Sequence, residues 1–292
     1  MARAVLSSGI EIEYETFGAA SDPTLLLVMG FTAQLTAWDE GFCRLLADCG
    51  LHVVRFDNRD CGLSTKIDGV EVDVGSVIAA ALAEAAVPPV PYTLSDMALD
   101  AVGLLDHLGI DRAHVMGASM GGMIAQHLAI EHPTRVRSLI SVMSMPGEPE
   151  VGQPTPEAIE ALLATPPVDR EAYIESSSRW LVWSSRKYGD AARNRRNAAR
   201  DYDRSFYPEG ANRQLAAIYA SGRRTAGLQQ LRVPTLVIHG RDDTLISPSG
   251  GTRTAELVDG AHLLLVADMG HDLPEPLWPV LVDAVRSHTS RA

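Results

Sequence analysis

Short apolar runs alternate with stretches of helical period in this chain, and that alternation limits the folds open to it more than any other feature. Apolar runs predict strands at 11–17, 25–28, 52–56, 113–116, 138–143, 234–239 and 262–266. Helical spacing of apolar residues predicts helices at 38–49, 94–108, 120–132 and from about 275 onward. Strands that alternate with helices build parallel βαβ units, so we predict an α/β fold whose sheet carries helices on both faces.

Two local details accompany this prediction. The alternation in 11–17 is that of an edge strand, with apolar side chains on one face. Ser95 is the predicted N-cap of the helix at 94–108, and Gly109 is its predicted stop.

The alternation breaks between residues 145 and 225. Prolines crowd the beginning of this stretch, and arginine-rich helical sequence with Trp180 and Trp183 follows. We interpret 145–225 as a helical cap inserted into one α/β domain, whose two parts are 1–144 and 226–292. Charge divides at the same boundaries, because the insertion holds 12 basic and 11 acidic residues and the rest holds 13 and 26. Opposite local charges would then help to hold the cap on the domain.

Charge and cysteine content narrow the classes of function. The chain of 292 residues includes 25 basic and 37 acidic ones, a net charge of −12. Nucleic acids and anionic membranes attract clustered cations, so we expect neither as a partner. Cys43, Cys49 and Cys61 show no metal-ligand or disulfide spacing, so we expect no metal site and a reducing compartment. The N-terminal segment lacks the basic and apolar regions of a signal peptide, which predicts a cytoplasmic protein.

A GxSxG motif at Gly117–Gly121 stands where a nucleophile elbow requires it. The motif follows the predicted strand 113–116 directly and opens the predicted helix 120–132. The sharp turn needs small residues two positions before and after the serine, and glycine occupies both. Ser119 is therefore the predicted nucleophile, at the edge of the sheet where open α/β folds bind ligands. The alternative is a glycine-rich strand–helix turn with an incidental serine.

A serine hydroxyl needs a general base, and the nine histidines differ in where the predicted elements place them. Only His239 and His271 follow predicted strands at the carboxyl edge. The others lie at strand starts, on helices or in the C-terminal tail: His52, His107, His114, His127, His132, His262 and His288. We predict His271 as the base, because it comes last in the order nucleophile, acid, histidine. His239 is interpreted as a strand-end residue that packs beside the acid loop. Asp243 is the predicted acid, with Asp242 as the alternative.

Acyl transfer places negative charge on the carbonyl oxygen of the substrate, which backbone N–H groups can stabilise. One predicted donor is the N–H of Met120, directly after the nucleophile. The other is the N–H of Phe31, in the loop that follows the strand at 25–28. Gly30 is expected to give that loop its turn.

Seven of the nine methionines lie in or beside predicted carboxyl-edge segments: Met29, Met116, Met120, Met123, Met143, Met145 and Met269. Methionine adapts to irregular apolar shapes, so these residues fit either a broad apolar pocket or ordinary core packing. Core packing is the interpretation for Met116 and Met123.

Together these motifs resemble the α/β-hydrolase family, and within it the serine esterases with a helical cap, over essentially the whole chain. The segments that carry the resemblance are Val28–Phe31, Asp57–Ser64, Gly117–Gly121, Gly240–Asp243 and Gly270-His271. Met29 stands where many members have histidine before the glycine, and this variant is similar to that of the aclacinomycin methylesterases, which tailor anthracyclines. The resemblance implies an eight-stranded, mostly parallel sheet and a hydrolase that uses no cofactor or metal.

Three functions fit these observations. The first is a serine hydrolase that cleaves carboxylic esters of small hydrophobic compounds through an acyl-enzyme. The second uses the same residues for carbon–carbon bond hydrolysis or perhydrolysis, and the third is a non-catalytic, ligand-binding protein of the same fold. The oligomeric state and the role of segment 66–91 stay open, with a lid helix or a subunit interface as alternatives for 76–87.

Overall fold

A sheet of eight strands runs through the protein, and the computed structural model describes all 292 residues. The strands are β1 (Ala2–Val5), β2 (Glu11–Phe17), β3 (Thr24–Val28), β4 (His52–Phe56), β5 (Ala113–Ala118), β6 (Val136–Val142), β7 (Thr235–Gly240) and β8 (His262–Val266). Their order across the sheet is β1-β2-β4-β3-β5-β6-β7-β8. β1 and β2 pair antiparallel, as do β2 and β4, whereas every other pairing is parallel. The predicted α/β fold with an eight-stranded, mostly parallel sheet is confirmed.

The edge of the sheet differs from the expectation. β1 pairs with β2 from Ala2 opposite Tyr14 to Val5 opposite Glu11. β1 therefore forms this edge of the sheet, and the prediction that 11–17 is an edge strand is wrong. Only Ala4 among the four residues of β1 is buried, so the strand shows no run of apolar side chains that would mark it in the sequence.

Eleven helices accompany the sheet. They are α1 (Glu40–Ala47), α2 (Val74–Leu82), α3 (Leu94–His107), α4 (Met120–Glu131), α5 (Pro156–Leu163), α6 (Arg170–Ser176), α7 (Ala191–Arg204), α8 (Gly210–Ala220), α9 (Thr225–Gln230), α10 (Pro248–Leu257) and α11 (Trp278–Thr289). None of them is both long enough and apolar enough to cross a membrane.

Two apolar clusters attach helices to opposite faces of the sheet. Leu26 of β3 belongs to a cluster that includes residues of α3 and α4, whereas Leu25 and Leu27 belong to one with α1 and α11. Successive side chains of a strand point to opposite faces, so an unbroken apolar run such as β3 contributes to both clusters. Full burial of each leucine stabilises the fold by about 1.5–3 kcal/mol.

The N-cap of α3 lies two residues before the predicted one, Ser95. Thr93 is the N-cap, because its side chain accepts a hydrogen bond from the N–H of Asp96 and the Asp96 carboxylate accepts one from the N–H of Thr93. This reciprocal pair is a capping box, which satisfies N–H groups that have no partner within the helix. Ser95 lies inside the helix instead, and its hydroxyl bonds to Glu131 of α4.

Between β6 and β7 the chain forms five helices, α5 to α9, and no strand. Two buried ion pairs connect these helices to the loop after β4, namely Arg204 with Asp57 and Arg213 with Asp60, each at 2.8 Å. α2, which lies within segment 66–91, packs against α8, one of the five helices between β6 and β7. The cap boundaries at 145 and 225 stay a prediction.

Candidate active site

Ser119 lies in the sharp turn between β5 and α4. Its φ of +58° and ψ of −124° place a non-glycine residue in the sparsely populated left-handed half of backbone space, at a cost of about 1–3 kcal/mol. A Cβ on Gly117 would lie 2.1 Å from the carbonyl oxygen of Gly121, and a Cβ on Gly121 would lie 2.1 Å from that of Val28. The two glycines of the motif thus allow the strand, the turn and the helix to approach closely, as a nucleophile elbow requires.

Replacing Gly121 with alanine is expected to lower the free energy of unfolding by about 1–3 kcal/mol, because the added methyl group overpacks against the β3 backbone. Urea denaturation would measure the change. Gly75→Ala in α2 is the matched control, since the nearest atom to its new Cβ is the Asp73 side chain at 3.5 Å. That substitution should raise helix stability by about 0.5–1 kcal/mol. Equal stability of the two variants would contradict the expectation.

Three side chains from different loops form one hydrogen-bonded series at the carboxyl edge of the sheet. His271 Nε2 lies 2.9 Å from Ser119 Oγ, and His271 Nδ1 lies 2.7 Å from Asp243 Oδ2. Because the carboxylate can only accept, Nδ1 carries the hydrogen and Nε2 is left to accept from the serine hydroxyl. The structure therefore brings together the three residues predicted as nucleophile, base and acid.

The Asp243 carboxylate is buried and held from several directions. Its Oδ1 accepts from the N–H groups of Leu245 and Ile246, each at 2.9 Å. Burial by itself would raise the pKa of Asp243, but the imidazoles of His271 and His239 outweigh it and lower the pKa to about 2. It is Asp243, and not the alternative Asp242, whose carboxylate contacts the imidazole of His271.

Asp243 is expected to make stability depend on pH in acid. Its folded pKa of about 2 lies below the usual value of about 3.9 for an unfolded chain. Its contribution, about 2 kcal/mol, is thus fully present above pH ~4 and is lost as the pH falls through ~2. Urea denaturation between these pH values should show a shallower decline for Asp243→Asn than for the wild type. Asp283→Asn, an exposed control, should leave the decline unchanged, and a parallel decline for Asp243→Asn would contradict the expectation.

The loop after β3 lies directly against the serine. A Cβ on Gly30 would be only 2.9 Å from Ser119 Cβ. Asn58 donates to the carbonyl of Met29, and Gln214 of α8 accepts from the N–H of Thr32, both at 2.8 Å. These two side chains hold both ends of the loop. Asn58 belongs to a motif quoted above, whereas no signal in the sequence pointed to Gln214.

The backbone N–H groups of Phe31 and Met120 make no hydrogen bond within the protein. Phe31 follows Gly30, which packs on Ser119, and Met120 follows Ser119 itself as the first residue of α4. Two unpaired donors beside a hydroxyl group can bind a negatively charged oxygen.

A segment between β6 and β7 contacts both the histidine loop and the acid loop. The N–H of His271 donates to the carbonyl of Trp183 at 2.6 Å, and the N–H of Ser185 donates to Asp272 at 3.0 Å. The Thr244 hydroxyl donates to the carbonyl of Val182 at 2.8 Å. Sequence reasoning did not predict these three contacts, because backbone hydrogen-bonding groups leave no mark in the residue pattern.

The seven methionines are mostly core residues. Six of them are less than a tenth exposed and belong to the two apolar clusters, and Met145 is half-buried at the border of one cluster. Their number therefore gives no separate support for an apolar pocket. No group of three or more His, Cys, Asp or Glu side chains is arranged to hold a metal ion.

The chain is similar to several known hydrolases. It is 26% identical to the rhodomycin D methylesterase DauP of Streptomyces sp. strain C5, over 99% of this chain and 98% of that protein. It is 29% identical to the "putative carbamate hydrolase RutD" of Pseudomonas savastanoi, over 69% of this chain and 78% of that protein. The enol-lactonase of Burkholderia xenovorans LB400 superposes with a TM-score of 0.74 at 23% identity, over 99% and 100% of the two chains. This last likeness shows the fold alone.

A family described as having the alpha/beta hydrolase fold matches residues 23–275, most of the chain. The resemblance to α/β-hydrolases and to a methylesterase, first drawn from five short motifs, is thereby confirmed. The chain is a hydrolase and belongs to the α/β-hydrolase fold family.

Proposed function

We propose that this protein hydrolyses carboxylic esters of small hydrophobic compounds, methyl esters among them, through an acyl-enzyme on Ser119. The observation that carries the proposal is the continuous hydrogen-bonded series from Ser119 Oγ through His271 to Asp243. The similarity to a methylesterase over 99% of this chain supports the choice of ester as the bond that is cleaved.

In the first half of the reaction, Ser119 Oγ attacks the ester carbonyl carbon while His271 Nε2 takes the hydroxyl proton. The carbonyl oxygen becomes an oxyanion, which the N–H groups of Phe31 and Met120 stabilise. Each such donor contributes about 2.7–4 kcal/mol in hydrolases where it has been removed. His271 then gives the proton to the departing alcohol, and the acyl group remains on Ser119.

In the second half of the reaction, water hydrolyses the acyl-enzyme. His271 takes a proton from the water as it attacks the acyl carbon, and returns that proton to Ser119 Oγ when the acid leaves. Asp243 keeps the imidazole in the orientation and tautomer that both steps need, and its negative charge stabilises the imidazolium. Because the pKa of Asp243 is about 2, the carboxylate stays ionised throughout.

Covalent labelling with an alkyl fluorophosphonate tests the proposal. The wild type should gain one phosphonyl group, which peptide mass spectrometry should locate on Ser119. Ser119→Ala should gain none, and His271→Ala should react far more slowly, since the hydroxyl then has no base. Labelling at a different residue would contradict the assignment of the nucleophile.

A substrate panel tests the bond that is cleaved. It should contain short-chain nitrophenyl esters, methyl esters of polycyclic acids and a vinylogous diketone. Turnover of the esters and not of the diketone is the expected result. Turnover of the diketone alone would favour carbon–carbon hydrolysis, and binding of all compounds without turnover would favour a ligand-binding protein.

A further inference from the structure

A second imidazole approaches the carboxylate of Asp243. His239, near the end of β7, is completely buried. Its Nε2 lies 2.8 Å from the carbonyl oxygen of Ile246 and 3.4 Å from Asp243 Oδ2. A carbonyl oxygen can only accept a hydrogen bond, so Nε2 must carry a hydrogen that points toward Ile246 and the carboxylate.

The opposite nitrogen of the ring has no partner. His239 Nδ1 is buried without a hydrogen bond, and a Cβ on Gly251 of α10 would lie 2.3 Å from it. A hydrogen on Nδ1 would therefore be buried without an acceptor, which is unfavourable. The surroundings thus hold His239 as the tautomer with its hydrogen on Nε2.

His239, Ile246 and Asp243 form a closed ring of polar contacts. Ile246 accepts from His239 through its carbonyl and donates to Asp243 Oδ1 through its N–H at 2.9 Å. The other carboxylate oxygen, Oδ2, faces both His239 and His271. The ring therefore fixes the rotation of the carboxylate and, with it, the oxygen offered to His271.

We propose that His239 is a positioning residue for the acid of this site, and that its Nε2–H sets how strongly Asp243 Oδ2 accepts from His271. The proposal rests on the function proposed above. An N–H close to Oδ2 draws part of the negative charge away from His271. Without that N–H the carboxylate would accept more strongly from His271 Nδ1 and would stabilise the imidazolium more strongly.

Three other charged groups lie near Asp243 and His271. Asp272 adjoins His271 in the loop after β8, Arg193 of α7 lies near Asp272, and Asp242 precedes the acid in the chain. Substitution of His239 leaves all three in place, so a change in pH profile would report the loss of the Nε2–H.

Two variants separate the hydrogen bond from the packing. His239→Gln can keep an N–H donor near the position of Nε2, whereas His239→Leu fills similar space without one. For His239→Leu we expect kcat/KM for a nitrophenyl ester to fall about tenfold at neutral pH, the size of one lost hydrogen bond, because the ring of contacts no longer fixes the carboxylate that orients His271. We also expect the acidic limb of the pH profile to move to higher pH. His239→Gln should retain most of the activity and the wild-type limb. An unchanged limb in a folded His239→Leu variant, or an equal loss in both folded variants, would overturn the proposal.

A measurement on the wild type keeps the proposal testable if neither variant folds. In protein labelled with ¹⁵N-histidine, NMR at pH 7 should show His239 with its hydrogen on Nε2, and a hydrogen on Nδ1 would overturn the proposal. This result does not depend on turnover of any ester. Absence of ester hydrolysis by the wild type would instead refute the proposed function, so the two failures are distinguishable.

Discussion

Alanine in place of Ser119 is expected to lower kcat for a short-chain nitrophenyl ester by about 10⁶-fold, the size of the loss when a nucleophile that acts with its base as a unit is removed. The hydroxyl oxygen of Ser119 lies 2.9 Å from His271 Nε2, so its loss would remove both the proposed nucleophile and the proton that the imidazole would take. The remaining rate would come from the N–H groups of Phe31 and Met120 acting on bound substrate.

The fold should survive this change, because alanine adopts the backbone conformation at residue 119 with no more strain than serine does. Circular dichroism would verify this. Ser290→Ala is the matched control, since that hydroxyl is exposed and bonds only to the carbonyl of Ser287 in the C-terminal helix. The control should keep full activity. Wild-type kcat in a folded Ser119→Ala variant would remove Ser119 from the mechanism.

Methionine in place of Arg213 is expected to lower the free energy of unfolding by about 3–5 kcal/mol. Arg213 makes two hydrogen-bonded contacts with the Asp60 carboxylate, at 2.8 and 2.9 Å, and the side chains are only 6% and 0% exposed. Without the arginine, the buried charge of Asp60 keeps only the hydroxyl of Tyr92 and the N–H of Ile67 as donors.

Urea denaturation of this variant would measure the loss, and the exposed ion pair of Arg286 with Asp283 offers a control. Those side chains are 60% and 70% exposed, so Arg286→Met should change the free energy of unfolding by less than about 1 kcal/mol. A loss for Arg213→Met no larger than that of the control would show that the buried pair does not stabilise the attachment of α8 to the loop after β4.

The uneven charge division of the sequence predicts that opposite charges hold the region between β6 and β7 on the rest of the domain. The two buried ion pairs identify residues that would do so. Arg204 and Arg213 come from the region between β6 and β7, and Asp57 and Asp60 come from the loop after β4. Salt screens exposed charges far more than buried ones. Substitution of these residues is therefore a sharper test of charge-based attachment than a change in ionic strength.

Much of the candidate site was predictable because its requirements are local. A sharp strand–helix turn needs small residues at fixed distances from Ser119, and those distances are visible in the sequence. His271 and Asp243 each follow a strand of a parallel sheet, whose carboxyl ends meet at one edge, so their proximity follows from the order of elements. The burial of β3 on both faces was also predictable, because an unbroken apolar run is a local pattern.

The sequence by itself thus determined the alternation of strands and helices, the elbow at Ser119 and the order of the three residues that meet at the carboxyl edge. Only the tertiary structure decided that Asp243 and not Asp242 faces the imidazole, that His239 approaches the same carboxylate, and that Trp183 holds the backbone of His271. The physical reason is the range of the interactions. Helix period and turn geometry depend on neighbours in the chain, whereas the direction of one carboxylate or one carbonyl depends on contacts between segments far apart in sequence.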